Sequence, residues 1–350
     1  MNLDNLKAIR SLDKSQVAES IANLPKQLAL TWQTGKKFKL PAGHLKAKAI
    51  VFCGMGGSNL ASEMLRGIFP FRMPFILVRN YNLPAFVNKD TLVVIDSYSG
   101  NTEEAISCLK IAIKIKAKIA VITSGGELLA LAKKHRLPCL LLDPKLNPSR
   151  QPRYDVGSQL GAALTILKNF TAIKAEVDPA AAFLTKLGQT LMPLIPAKNN
   201  PAKNLAQRLF GKQILIFGAE HLAPNAHILA NQLNESAKQL AHPYAIPELN
   251  HHFLEALALP KSITKNTVVL LLSSAAYAPR ISKRMAVTKK VLDKLKIKYL
   301  TLESATEDKW LSALEILAQG SWLSFYLAML NNINPAQIPW VDFFKKELNK

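Results

Sequence analysis

Five short apolar runs, at residues 49–53, 75–78, 91–95, 119–123 and 139–142, alternate with segments of helical period. Such alternation fits a mainly parallel sheet with helices on both faces, and a sheet of that kind takes its ligands beyond the carboxyl ends of its strands. A second alternating region follows. Its strand candidates are residues 213–217, 267–272 and 297–302, and its helix candidates are 226–240, 280–295 and 311–330. A proline-bearing stretch of lower complexity, residues 178–203, separates the two. Ahead of both, the first forty residues read as amphipathic helix, with Ile9, Leu12, Val17, Ile21, Leu24, Leu28 and Leu30 as the buried face. A chain of 350 residues suits two such domains, and the cleft between two α/β layers is a favoured place for a small ligand.

The net charge of +21 would suit nucleic acid, an anionic membrane face or acidic substrates. The basic residues are spread along the chain, however, and the densest groups, residues 36–39 and 283–298, hold only Phe38 as an aromatic. Base stacking needs more interleaving than that, so the charge reads as a solvated surface that steers anionic metabolites, with no nucleic-acid partner. Cys53, Cys108 and Cys139 form no paired motif and read as small core residues of a reducing compartment. The first ten residues carry charges of both signs and lack the apolar core of a signal peptide. No uninterrupted apolar run approaches a membrane span, so a cytoplasmic location and no membrane partner are expected.

Three strand ends carry glycine and hydroxyl side chains. Ser97, Tyr98, Ser99, Gly100, Asn101 and Thr102 join the third strand to a helix that opens with Glu103 and Glu104. Backbone N–H groups, hydroxyls and the positive end of a helix can hold one phosphate there without a metal. Ser and Thr also cap helices, and this stretch alone leaves both readings open. Gly54, Met55, Gly56, Gly57 and Ser58 follow the first strand, where glycines let backbone N–H groups approach an oxyanion. A dinucleotide fingerprint fails there because Asn59 stands in place of its third glycine, which leaves a tight turn as the alternative. Thr123, Ser124, Gly125 and Gly126 repeat the theme. Three such ends on one sheet edge point to an anionic, hydroxyl-rich ligand.

These runs resemble those of sugar isomerase (SIS) domains, which bind phosphosugars. Further motifs, Pro152-Arg153, Asn234-Glu235 with Lys238, and Pro247-Glu248-Leu249-Asn250-His251, are similar to those of the bifunctional phosphoglucose/phosphomannose isomerases, in the same order along nearly the whole chain. The resemblance implies two doubly wound parallel-sheet SIS domains, each an αβα sandwich, with helical extensions at both ends. It divides the chain into a helical extension (1–40), a phosphate-binding SIS domain (41–177), a linker (178–204) and a second SIS domain with a C-terminal helix (205–350). It implies a homodimer that needs no cofactor or metal, acting on a sugar phosphate bound between the domains.

The same resemblance carries phosphate binding onto Ser97, Ser99 and Thr102, and sugar contact onto Gly57 and Ser58. It puts the catalytic base at Glu235 and a ring-opening group at His251, which would reach in from the partner subunit. Arg153 would stabilise the intermediate, and Lys345, or its neighbour Lys346, would complete the site. Three departures stand out: His252 and Phe253 replace the family's Asn-Glu, residues 147–150 lack its glycine, and Asn334-Pro335-Ala336 stands where it has Asp-Pro-Thr.

The residue types suit the chemistry. An aldose becomes a ketose through an enediol, and a carboxylate can move the proton between adjacent carbons. A fixed guanidinium stabilises the enediolate charge, and an imidazole suits the proton transfer of ring opening. Glucose 6-phosphate and fructose 6-phosphate are the expected substrates, with mannose 6-phosphate as a second candidate. The rivals are a phosphosugar sensor without catalysis, which should bring a DNA-binding helix-turn-helix, and an SIS isomerase of a different phosphosugar. No cluster of His, Cys and acids suggests zinc.

Overall fold

A computed structural model describes residues 1–171 and 175–348. The chain forms two compact units, Asn23–Thr185 on the one hand and Met1–Ala22 with Lys186–Lys350 on the other. Helices α1 (Leu6–Leu12) and α2 (Val17–Ala22) therefore belong with the C-terminal half, whereas α3 (Leu24–Gly35) belongs with the unit that follows it. Asp13 links the first two, since its carboxylate accepts from the N–H groups of Val17 and Ala18 at the start of α2.

In the Asn23–Thr185 unit the elements alternate as β1 (Ala49–Cys53), α4 (Leu60–Ile68), β2 (Phe75–Val78), β3 (Thr91–Ser97), α5 (Glu103–Lys114), β4 (Lys118–Thr123), α6 (Gly126–Lys134), β5 (Cys139–Leu141) and α7 (Val156–Leu167). The strands form one parallel sheet in the order β2-β1-β3-β4-β5. That order reverses direction between β1 and β3, and the crevice beyond their carboxyl ends is where a doubly wound sheet binds its ligand. Every residue of β3 is buried, as expected for a central strand covered on both faces.

Helix α7 is buried along its whole length and packs against α3. Gly161 permits the approach, because a Cβ there would lie 2.9 Å from the carbonyl oxygen of Leu28. The expected apolar face of the N-terminal helices holds for Ile9, Val17, Ile21, Leu24 and Leu28, all buried, and Leu12 is half-buried. Leu30 departs from it and is exposed. The buried positions of α3 are Leu24, Gln27, Leu28, Thr31 and Gly35, spaced by three or four residues, and a residue two places beyond Leu28 points away.

Helix α8 (Val177–Leu191) occupies much of the stretch that separates the two alternating regions, and it carries the chain from one unit into the other. The second unit continues through α9 (Pro201–Leu209), β6 (Gln213–Ala219), α10 (Ala223–Gln232), β7 (Ala241–Ile246), α11 (Leu249–Ala256), α12 (Ile263–Asn266), β8 (Thr267–Ser274), α13 (Pro279–Lys294), β9 (Tyr299–Ser304), α14 (Lys309–Leu330) and α15 (Pro339–Leu348). Its parallel sheet runs β7-β6-β8-β9, which matches the first four strands of the other sheet.

Helix α14, interrupted by Glu315 and Gln319, is by length and composition alone long and apolar enough to cross a membrane, with 22 residues and a mean hydropathy of 1.2 over its apolar 18-residue window. Its setting is that of a core helix. Within the unit 83% of its apolar window is buried, and its serines find partners there, Ser321 bonding to Gln232. The basic helix α13 buries only Met285, Thr288 and Leu292, which leaves most of its lysines solvated. Cys53 and Cys108 are buried and Cys139 is half-buried, all as free thiols.

Candidate active site

At the end of β3 the chain turns sharply into α5. Gly100, with φ +72°, makes the turn, and a Cβ on it would stand 1.8 Å from the carbonyl oxygen of Gly125, so the β3 and β4 loops interlock. Thr102 occupies the N-cap position of α5, yet its hydroxyl makes no capping bond. It pairs instead with the Ser97 hydroxyl at 2.8 Å. Ser97 Oγ also accepts from the Gly100 N–H at 3.1 Å, and the exposed Ser99 accepts from the Asn101 N–H at 3.2 Å. The start of α5 thus offers its first-turn N–H groups and its positive dipole end beside three hydroxyls.

Ser58 belongs to the turn after β1, and its hydroxyl accepts from the Tyr98 N–H at 2.9 Å. The Tyr98 carbonyl in turn accepts from Ser124, from the N–H at 3.1 Å and from the hydroxyl at 2.6 Å. One tyrosine backbone therefore ties the ends of β1, β3 and β4 together. Gly57 sits against the turn that bears Arg153, since a Cβ on it would come within 2.8 Å of Pro152 and of the Arg153 nitrogen. Arg153 itself is 1% exposed and donates from Nη1 to Gln151 Oε1 at 2.8 Å. Gly57, Ser58, Ser97, Ser99, Thr102 and Arg153 are thereby gathered at one sheet edge.

Beneath that edge lie two buried carboxyl groups that no motif in the sequence singles out. Asp96, next to the end of β3, has both oxygens buried without a protein donor among the described residues, and burial, with Asp155 adding to it, pushes its pKa well above the usual range. Asp155 precedes α7. Ser158 donates to its Oδ1 at 2.9 Å, but burial still pushes its pKa up to about 8. Tyr98 is pushed up to about 12, mainly by burial and further by Asp155.

The remaining candidates belong to the second unit. Glu235 is half-buried in a π-helical turn, Leu233–Ala237, that extends α10. Such turns re-aim side chains and recur at functional sites. Asn234 closes the turn by exchanging hydrogen bonds of 2.9 and 2.8 Å with the main chain of Ala241. Lys238, left-handed at φ 51°, donates to the Glu235 carbonyl oxygen at 2.9 Å and to the carbonyl of Gln337. Asn331 donates to the Ala237 carbonyl at 2.8 Å, so the turn is fastened to the segment that leads into α15. That helix carries Lys345 and Lys346, both exposed. His251 is exposed on α11. Phe253, one of the departures, stacks on Tyr244 at 3.8 Å and meets Phe217 edge-on, which gives it a packing role. Among the described residues no group of three or more His, Cys, Asp or Glu side chains is arranged to hold a metal.

The chain is similar to known proteins. Residues 198–348 match the family model described as the bacterial phospho-glucose isomerase C-terminal SIS domain. A bifunctional phosphoglucose/phosphomannose isomerase of Aquifex aeolicus is 30% identical over 308 residues, covering 87% of this chain and 91% of its own. The chain belongs to the bifunctional phosphoglucose/phosphomannose isomerase family. A second member, from Caldicellulosiruptor bescii, is 28% identical and covers 94% of this chain and 98% of its own. The fold is shared with a hypothetical protein of Thermus thermophilus, at a TM-score of 0.75 and 16% identity, covering 98% of this chain and 93% of that one.

Proposed function

We propose that this protein is an aldose-ketose isomerase that interconverts glucose 6-phosphate and fructose 6-phosphate through an enediol, and that it accepts mannose 6-phosphate as a second substrate. The observation that carries this reading is the β3 loop. Its N-cap threonine spends its hydroxyl on Ser97 instead of on the helix, which suits three hydroxyls and a helix start that share an anion. Membership of the family supports the reaction. In this reading Ser97, Ser99 and Thr102 hold the phosphate, and Gly57 and Ser58 lie along the sugar.

Glu235 moves the proton between the first two carbons of the open chain. It is a carboxylate in a turn braced on both sides, as a base needs for repeated transfer at fixed distance. Arg153, buried and fixed by Gln151, stabilises the charge of the enediolate. His251 of the partner subunit opens the ring, and its exposure on α11 suits a group that serves a neighbour. Lys345, or its neighbour Lys346, completes the site. The protein acts as a cytoplasmic homodimer, and proton transfer by a carboxylate calls for no metal or cofactor.

A coupled assay of EDTA-treated protein with glucose, mannose and fructose 6-phosphates, beside Glu235→Gln, tests the proposal. Turnover is expected without metal and should fall at least about a hundredfold in the variant, the effect of removing a general base. Unchanged turnover in Glu235→Gln would remove the base assignment. Tight phosphosugar binding with no turnover would favour a sensor.

A further inference from the structure

We propose that Tyr98, Asn147 and Gln151 are positioning residues that hold Arg153 in register with the phosphate-binding edge. The inference rests on the isomerase reading, in which Arg153 meets the charge that develops on the sugar. A guanidinium has five donors in a rigid plane, so its usefulness depends on how that plane is held. Here Gln151 Oε1 accepts from Nη1 at 2.8 Å.

Gln151 is itself held from several directions. Its carbonyl accepts from Asn147 Nδ2 at 3.0 Å and from the Tyr154 N–H at 2.9 Å. Its N–H and its side-chain amide both reach Ser149, at 3.3 Å each. Asn147 is fully buried, takes a 2.7 Å bond from Ser149 Oγ, and donates to the Tyr98 hydroxyl at 3.3 Å.

Tyr98 is the residue whose main chain is fastened to Ser58 and Ser124, so its ring joins two assemblies. Above it are the three loops of the anion site. Below it is the 147–153 turn with the arginine. Gly57 supplies a second strut, because its missing side chain lets the β1 loop rest directly on Pro152 and Arg153. A largely buried polar chain with its members bonded is stiff, and a shift of about 1 Å at a reacting centre can cost on the order of a hundredfold in rate. The chain therefore fixes the distance between the phosphate end of the substrate and the cation that faces its reacting end.

Steady-state kinetics on the full-length protein, with fructose 6-phosphate as substrate and inorganic phosphate as competitive inhibitor, test this. Tyr98→Phe removes one hydroxyl and no packed carbon, and Gln151→Ala removes the side-chain oxygen that accepts from Arg153 Nη1. Each should lower kcat about tenfold while KM and the phosphate inhibition constant stay within about twofold, because the lost stabilisation belongs to the transition state. The double variant should lose little more than the worse single one, since the two residues act through one chain. Gln151→Glu, which retains an acceptor oxygen, should recover most of kcat.

Unchanged kcat in the single variants would overturn the proposal, as would losses that multiply in the double variant or a Gln151→Glu no better than Gln151→Ala. Where such results accompany an active wild type, only this inference fails. A wild type without turnover on any of the three hexose phosphates overturns the isomerase reading along with it. Should Gln151→Ala not fold, Tyr98→Phe and Gln151→Glu decide the matter alone.

Discussion

Removing the hydroxyl of a capping threonine weakens a helix by about 1 kcal/mol; removing one from an anion site weakens binding instead. Thr102 separates the two cases, because its hydroxyl bonds to Ser97 and makes no cap. Thr102→Val should raise KM for fructose 6-phosphate about tenfold with kcat within about twofold, and leave the melting temperature nearly unchanged. A drop in melting temperature with unaltered KM would return the loop to plain capping. Asp155 gives a second test at this scale. Its folded pKa of about 8 lies above that of an exposed carboxyl, so the folded chain keeps a proton that the unfolded chain has released. The stability linked to that proton is fully present below about pH 4 and is lost as pH rises through about 8. Asp155→Asn has no proton to lose. Its melting temperature relative to wild type should be higher at pH 9 than at pH 5, and an equal difference at both would reject the assignment. Neither Asp155 nor the bonding of Tyr98 is legible in the sequence, because burial by distant elements sets both.

At the scale of elements, legibility follows hydrophobic pattern. The strands of the first sheet are continuous apolar runs between turn residues, and β1 to β5 lie where those runs predict them. Strand β7 escapes the pattern because His242, Pro243 and Tyr244 interrupt it, a composition tolerated only at a sheet edge, where β7 lies. The turn that bears Glu235 reads in the sequence as part of a helix over residues 226–240, since a pattern of period 3.6 carries no mark for one π turn. Helix α8 is hidden by the prolines around it. Packing between elements makes its own prediction. Gly161→Val would force α7 off α3 by filling space that Leu28 and Thr31 already border, at a cost of about 1–3 kcal/mol. Thermal melts should show a fall of several degrees, and no change would mean that the two helices are less closely fitted than their contact implies.

Across the whole molecule the two parallel sheets repeat one strand order, yet their carboxyl edges differ. The first edge carries glycines and hydroxyls. The corresponding edge of the second is filled by the protein itself, with buried His221 bonded through Nε2 to Ser274 Oγ at 3.1 Å and to Ser312 Oγ at 3.3 Å. The Glu220 carboxylate accepts from the Ala278 N–H at 3.4 Å, at the start of α13, where the first unit would place an anion. The proposal accordingly assigns the phosphate to the first sheet alone and the proton transfer to Glu235 on the second unit. The most direct test of that division is the interconversion of fructose and glucose 6-phosphates in D2O, followed by proton NMR at the first two carbons. An enediol formed by Glu235 predicts partial uptake of solvent deuterium in the product of the wild type, and in Glu235→Gln a fall of both turnover and label by at least about a hundredfold. Turnover and deuterium uptake in Glu235→Gln equal to those of the wild type would contradict the account.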